Sequence, residues 1–160
     1  MSNSLFERAK NLGLYGLIAR WETFGSALWL AELIENEEAE RAQRSLDRRI
    51  KHAKLGSFKS MADFDYLWPE GLDRGMLDEL FTFGFLGEAA NVVIVGPNGL
   101  GKTMIAQNLA YQALHKGVSV CFTTAAAMLN DLAMQEGAQS LARRLKRYCR
   151  PQLLVIDEVG

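Results

Sequence analysis

The chain has 160 residues, with 18 Lys and Arg against 19 Asp and Glu and a formal charge of −1. At 49% hydrophobic and 23% charged it has the means to bury a core, which excludes a disordered, collagen-like or wholly polyanion-coating protein. Its length suits one average domain, or a small helical domain joined to part of a second. Two cysteines, Cys121 and Cys149, cannot build a disulfide framework and point to a reducing compartment. The opening residues lack a signal-peptide pattern, and no apolar run approaches the roughly 18–20 residues of a membrane span, so the chain is expected in the cytoplasm without a membrane partner.

Residues 4–20 and 26–55 are rich in Leu, Ala, Glu and Arg and contain no proline, which predicts helix. Asn36, followed by Glu37 and Glu38, has the chemistry of an N-cap and predicts a break near 36. Beyond it, Ala39, Ala42, Leu46, Ile50 and Ala53 recur at steps of three and four. They form one stripe, which puts Arg41, Arg44, Arg48 and Lys51 on the opposite side as a basic outer face.

Charge is segregated along the chain, with five acids between Glu32 and Glu40, then seven Lys/Arg against Asp47 alone between Arg41 and Lys59. Residues 56–71 turn irregular and aromatic (Phe58, Phe64, Tyr66, Trp68), as a connector would, and a helix is expected over about 73–83. Then Val92-Val93-Ile94-Val95 reads as a strand buried on both faces. A glycine loop, a helix over 102–115, a strand over 118–123, helices within 125–149 and a strand over 152–157 follow. This β-α-β-α-β order predicts a parallel sheet with helical crossovers, whose ligands gather at the carboxyl ends of the strands.

At the end of the first of these strands stands Gly96-Pro97-Asn98-Gly99-Leu100-Gly101-Lys102-Thr103, a complete G-x-x-x-x-G-K-[ST] loop opening a helix. Its glycines let backbone N–H groups converge on phosphate oxygens, and the helix N-terminus adds a positive dipole. Lys102 is placed to reach the β- and γ-phosphates of a nucleoside triphosphate, and the Thr103 hydroxyl to serve Mg²⁺, which prefers hard oxygen ligands. The nucleotide-binding stretch is taken to run through Met104.

The last strand, Leu153-Leu154-Val155-Ile156, ends in Asp157 and Glu158. Two carboxylates at the end of a buried strand are costly unless a cation or hydrogen bonds meet them. Asp157 suits an Mg²⁺ role, and Glu158 suits orienting and deprotonating an attacking water, with Lys102 as its catalytic partner. A second basic cluster, Arg143, Arg144, Lys146, Arg147 and Arg150, precedes this strand, with Leu141, Leu145 and Tyr148 as its apolar stripe. With no base-reading motif in view, either basic face would contact DNA mainly through phosphates; the alternative is a solvated face neutralised by the acidic segments at 32–40 or 61–88. His52 and His115 are isolated and read as structural. The aromatics at 64, 66 and 68 read as packing between domains, or as a cap on the adenine.

Residues 92–103, the stretch Lys116-Gly117-Val118-Ser119-Val120 and the ending Leu153 to Gly160 resemble the IstB-like and DnaC-like branch of the AAA+ ATPases. Arg48 to Leu55, Asp63-Phe64-Asp65 and Gly71-Leu72-Asp73-Arg74 resemble the helical leader and connector of IstB-like transposition helper proteins. The resemblance implies an α/β P-loop ATPase domain behind a small α-helical N-terminal domain: a leader over 1–60, a connector and helix over 61–90, and the first half of the ATPase domain over 91–160. It also implies an ATP-hydrolysing helper that assembles as a homo-oligomer on double-stranded DNA and recruits or stimulates a transposase.

AAA+ relatives place further strands beyond the acidic pair, one of them between the P-loop strand and the acid-bearing strand, followed by sensor residues and an arginine finger. The resemblance therefore implies an ATPase domain truncated after its third strand, with residues 92–95 and 153–156 flanking a gap, and nucleotide binding that can outlive turnover. A helicase loader similar to DnaC and a non-catalytic, nucleotide-gated interaction module are the alternative readings.

Overall fold

A computed structural model of the chain describes residues 4–68 and 70–159. Residues 1–3 of the expected leader, Pro69 of the connector and the closing Gly160 lie outside the described residues. The chain divides into two compact units, one up to Asp47 and one from Arg48 onward. No helix among the described residues is long and apolar enough to cross a membrane.

In the first unit, α1 (Leu5–Asn11) starts at Ser4, whose hydroxyl accepts from the Glu7 amide at 3.3 Å. The helix expected over 4–20 is broken, because Gly13 takes φ +66°, a turn that glycine makes without steric cost. Two single-turn helices follow, α2 (Tyr15–Ile18) and α3 (Trp21–Phe24), and then the long α4 (Leu30–Ala53). Leu30 and Ile34 of α4 are buried against Ala9 and Leu12, and Leu5, Leu17 and Trp21 pack around them. The ring of Phe6 stands edge-on to Trp21, 5.1 Å between centroids.

The break expected at Asn36 does not occur. Asparagine within a helix costs only about 0.5 kcal/mol relative to alanine, and the residues on either side of it are anchored. Ile34 is buried, Glu38 accepts two hydrogen bonds from Arg8 (3.0 and 2.7 Å), and Glu37 pairs with Arg41 one turn on at 2.7 Å. The expected stripe is corrected as well, since Ala39 and Ala42 are exposed. The ridge that meets α1 is Leu30, Ile34, Glu38 and Arg41, because a bidentate Arg8–Glu38 pair outweighs the small area two alanines would bury. Arg41, itself exposed, donates to the Leu12 carbonyl at 2.6 Å. The hydrogen bond from Arg8 holds the Glu38 carboxyl below its usual range.

The second unit begins in the last turns of α4, where Ala53 is buried and Lys54 takes a left-handed φ of 59°. A short 3₁₀ turn at Met61–Asp63 is capped by Ser60, and α5 (Arg74–Leu80) is capped by Asp73, which accepts from Met76 at 3.0 Å. Then come α6 (Gly84–Gly87), α7 (Lys102–His115), β1 (Val120–Thr124), α8 (Ala125–Ala133), α9 (Ala138–Cys149) and β2 (Leu153–Asp157). The two strands pair in parallel, Val120 opposite Leu153 and Thr124 opposite Asp157, so the unit is α/β with a helical crossover. Ile105, Leu109, Ala110, Ala113 and Leu114 of α7 are buried, as are Val120, Cys121 and Phe122 of β1.

The strand expected over 91–95 is corrected. These residues belong to no helix and no sheet, and among the described residues their backbone makes no hydrogen bond to backbone. Val93 and Val95 are 79% and 87% exposed, whereas Ile94 packs with Phe64, Leu77 and Ile105. A β-branched run favours extended backbone; a ladder also needs a neighbouring strand, and among the described residues β2 pairs with β1 alone.

Candidate nucleotide-binding site

The loop after residues 91–95 turns through Gly99 at φ +85° and Gly101 at φ +80°, and α7 starts at the next residue. The first hydrogen bond of that helix runs from Ile105 N–H to the Gly101 carbonyl at 2.9 Å, which leaves the amides of Lys102, Thr103 and Met104 in the unsatisfied first turn. Lys102 folds back over the loop, its Nζ donating to the Pro97 carbonyl at 2.8 Å.

This loop faces a cavity of about 1630 Å³. Gly96, Asn98, Gly99, Gly101, Lys102, Thr103 and Met104 line it, together with residues 92–95, β2, Asp157 and Glu158. Pro97 and Leu100 are not among the lining residues. Leu100 instead turns its Cδ1 to within 3.6 Å of where a side chain on Gly96 would stand. Asp157 ends β2 opposite Thr124, and Glu158 follows in a left-handed conformation, φ 55°, that only glycine adopts without cost. A hydroxyl and two carboxylates thus open on the same cavity as a lysine and a glycine loop. Such a donor set suits a polyphosphate with a hard divalent cation, and Thr103 and Asp157 are the residues that would hold magnesium.

Two contributors are not apparent from motif reading. Phe64 is buried and packs so closely on the loop that a Cβ placed on Gly101 would lie 2.6 Å from Phe64 Cε2. Its ring meets Tyr66 edge-on, centroids 5.0 Å apart, and the Arg74 guanidinium lies over Tyr66. Trp68 is largely exposed. Asn108, buried in α7, accepts from the Met61 amide at 3.1 Å and donates to the carbonyls of Lys59 and Met104, each at 2.8 Å. A polar residue between Ile105 and Leu109 on an otherwise apolar face was the available signal for it.

The basic residues differ in their engagement. Arg44 donates to the Glu40 carbonyl at 3.3 Å, while Arg48 and Lys51 are exposed. In α9, Arg144 pairs with Asp131 at 2.6 Å and Arg147 lies 3.5 Å from the same carboxylate, to which Tyr148 also donates at 2.6 Å. The Tyr148 hydrogen bond, with the two arginines, keeps the Asp131 carboxyl below its usual range, and burial pushes the Tyr148 phenol up. Arg143, Lys146 and Arg150 are exposed. Of the apolar stripe expected on this helix only Tyr148 is buried; Leu141 and Leu145 are 37% and 41% exposed.

The family described as IstB-like ATP binding protein matches residues 8–160. A Geobacillus stearothermophilus protein named for ATP binding and insertion sequence IS5376 is 28% identical across all of this chain and 67% of its own. A Mycobacterium tuberculosis protein named for ATP binding in an insertion sequence is 33% identical across 84% of this chain and 53% of its own. A Pseudomonas aeruginosa protein named for ATP binding and insertion sequence IS21 is 30% identical across 82% of this chain and 50% of its own. The chain spans between about half and two thirds of the length of these curated relatives. By its glycine loop and by a match that runs nearly from end to end, the chain belongs to the IstB-like ATP binding protein family.

Proposed function

We propose that this chain is the ATP-binding part of a helper of DNA transposition. Residues 96–104 cradle the triphosphate, with Lys102 neutralising the β- and γ-phosphates. Thr103 and Asp157 hold magnesium, which when bound supplies positive charge at the phosphate oxygens. Glu158 orients and deprotonates the attacking water in the complete ATPase. Residues 1–60 serve as the leader, 61–90 as the connector and 91–160 as the first half of the ATPase domain. The protein works in the cytoplasm as a homo-oligomer on double-stranded DNA, gripping phosphates through its exposed basic residues and presenting a transposase to its target.

The observation that carries the reading is that Lys102 and Thr103, at the start of α7, share one cavity with Asp157 and Glu158, at the end of β2. The insertion-sequence names of the relatives favour a transposase over a helicase as partner. Calorimetry with magnesium ATP tests it. The chain should bind, Lys102→Ala should not, and Glu158→Gln should bind as the unchanged chain does. Equal heats from the chain and Lys102→Ala would refute the role of the loop.

A further inference from the structure

We propose that Phe64 is a positioning residue for the phosphate loop, and that residues 55–66 form a strap through which nucleotide occupancy is felt along α7. The inference rests on the reading of residues 96–103 as the ATP site. Its geometry is independent of that reading.

The strap is pinned to α7 along much of that helix. Gln107 Nε2 donates to the Leu55 carbonyl at 2.8 Å, and Phe58 lies edge-on to Tyr111 with centroids 5.5 Å apart. Asn108 ties down both Lys59 and Met61. At the far end Phe64 closes on Gly101, the residue whose left-handed φ aims the amides of the first turn. The contact is tight on both sides, since Phe64 is itself buried among Leu77, Ile105, Met61, Tyr66 and Met104. Close-packed interiors transmit displacement and do not absorb it. Gly101 therefore cannot move toward the strap without displacing Phe64, and loss of the ring frees the loop to leave its phosphate-binding curl.

The consequence is reciprocal. A ring that holds the loop in its binding form raises ATP affinity, and ATP, by favouring that form, must stabilise the seating of the ring. Supporting residues of this kind govern affinity without touching the ligand.

The test compares magnesium ATP binding by the chain with that of Phe64→Ala, Phe64→Leu and Leu114→Ala, alongside hydrogen exchange of the unchanged chain with and without ATP. Leu114 is fully buried near the end of α7 and belongs to neither the Phe64 cluster nor the strap contacts, so its truncation controls for stability loss. Phe64→Ala should weaken binding by roughly tenfold or more, the scale expected when a site's support loosens. Phe64→Leu should fall between, and Leu114→Ala should bind as the unchanged chain does despite a lower Tm. Amides of 59–66 and 101–105 should slow together when ATP is added. If the chain binds ATP and Phe64→Ala binds it equally well, or Leu114→Ala loses as much, the proposal is overturned alone. Should Phe64→Ala fail to fold, Phe64→Leu and the exchange of the unchanged chain still decide. ATP protection confined to 101–105 with none at 59–66 overturns it too. No binding by the unchanged chain overturns the reading of the loop, and this proposal with it.

Discussion

The Met61 amide donates to Oδ1 of Asn108 across 3.1 Å, so a buried side chain of α7 completes the backbone hydrogen bonding of the connector. The same side chain takes up the Lys59 carbonyl. Replacing Asn108 by Ala removes the partners of both backbone groups at a site only 5% exposed. A loss of about 1–3 kcal/mol is expected from such unsatisfied groups, read as a lower urea midpoint at unchanged slope. Stability within a few tenths of a kcal/mol of the original would show that water replaces Asn108 freely.

Gly101 carries two separate constraints, its φ of +80° and the Phe64 ring where a Cβ would stand. Gly101→Ala should cost about 1–2 kcal/mol for the backbone alone, and more for the clash. Combining it with Phe64→Ala removes the clash but leaves the backbone cost, so the double variant should be more stable than the sum of the two singles allows. Strict additivity in urea melts would mean that the ring yields without resistance.

Glu158 sits in a left-handed conformation directly after β2. Strain at such a position persists only when the surroundings enforce it, and it gathers at working residues. Glu158→Gly should raise stability by about 0.5–1 kcal/mol once the extra entropy of glycine in the unfolded chain is subtracted, whereas Glu158→Gln should leave it unchanged. If Glu158 activates the attacking water as proposed, both variants should also lose ATP hydrolysis. A glycine variant that melts below the original would remove the claim of strain.

Asp131 receives Tyr148, Arg144 and Arg147, and its carboxyl is held below the usual range chiefly by the Tyr148 hydrogen bond. A lowered folded-state value means that the ionised form favours the fold. That contribution is fully present above the ordinary aspartate value of about 4 and is lost as pH falls through the depressed one. Asp131→Asn should therefore be less stable at neutral pH and should lose less on acidification between pH 5 and the acid limit. Parallel curves of Tm against pH for the two proteins would contradict this.

Arg41 is tied to Leu12 and Glu37, whereas Lys51, Arg143 and Lys146 are exposed and make no ion pair among the described residues. If DNA phosphates are the ligand, each of Lys51→Ala, Arg143→Ala and Lys146→Ala should lower the slope of log affinity against log salt by about 1, and Arg41→Ala should leave it alone. Fluorescence anisotropy over a salt series reads these slopes, and a slope near zero for the unchanged chain would exclude phosphate contact.

Much of the candidate site was legible in the residues themselves because its chemistry is local. A glycine loop followed by Lys102 and Thr103 specifies its own turn, and α7 spans the 102–115 expected from its pattern. Asp157 and Glu158 were readable as a pair because they end an apolar strand that follows a phosphate loop; two acids at the end of such a strand are common on their own. The pattern also anticipated both paired strands to within two residues and placed helices within 125–149, without the boundary between α8 and α9.

Long-range partners were not legible. Helix α4 runs through Asn36 because Arg8, distant in sequence, captures Glu38; Arg41 is tied down because the Leu12 carbonyl accepts from it; residues 92–95 stay out of the sheet because no strand among the described residues pairs with them. Residue types fix what a backbone prefers and what a side chain can bond. Which ring presses on Gly101, which carbonyl takes an arginine and which extended segment finds a ladder depend on groups brought together only when the chain has closed on itself, and there packing outweighs local preference.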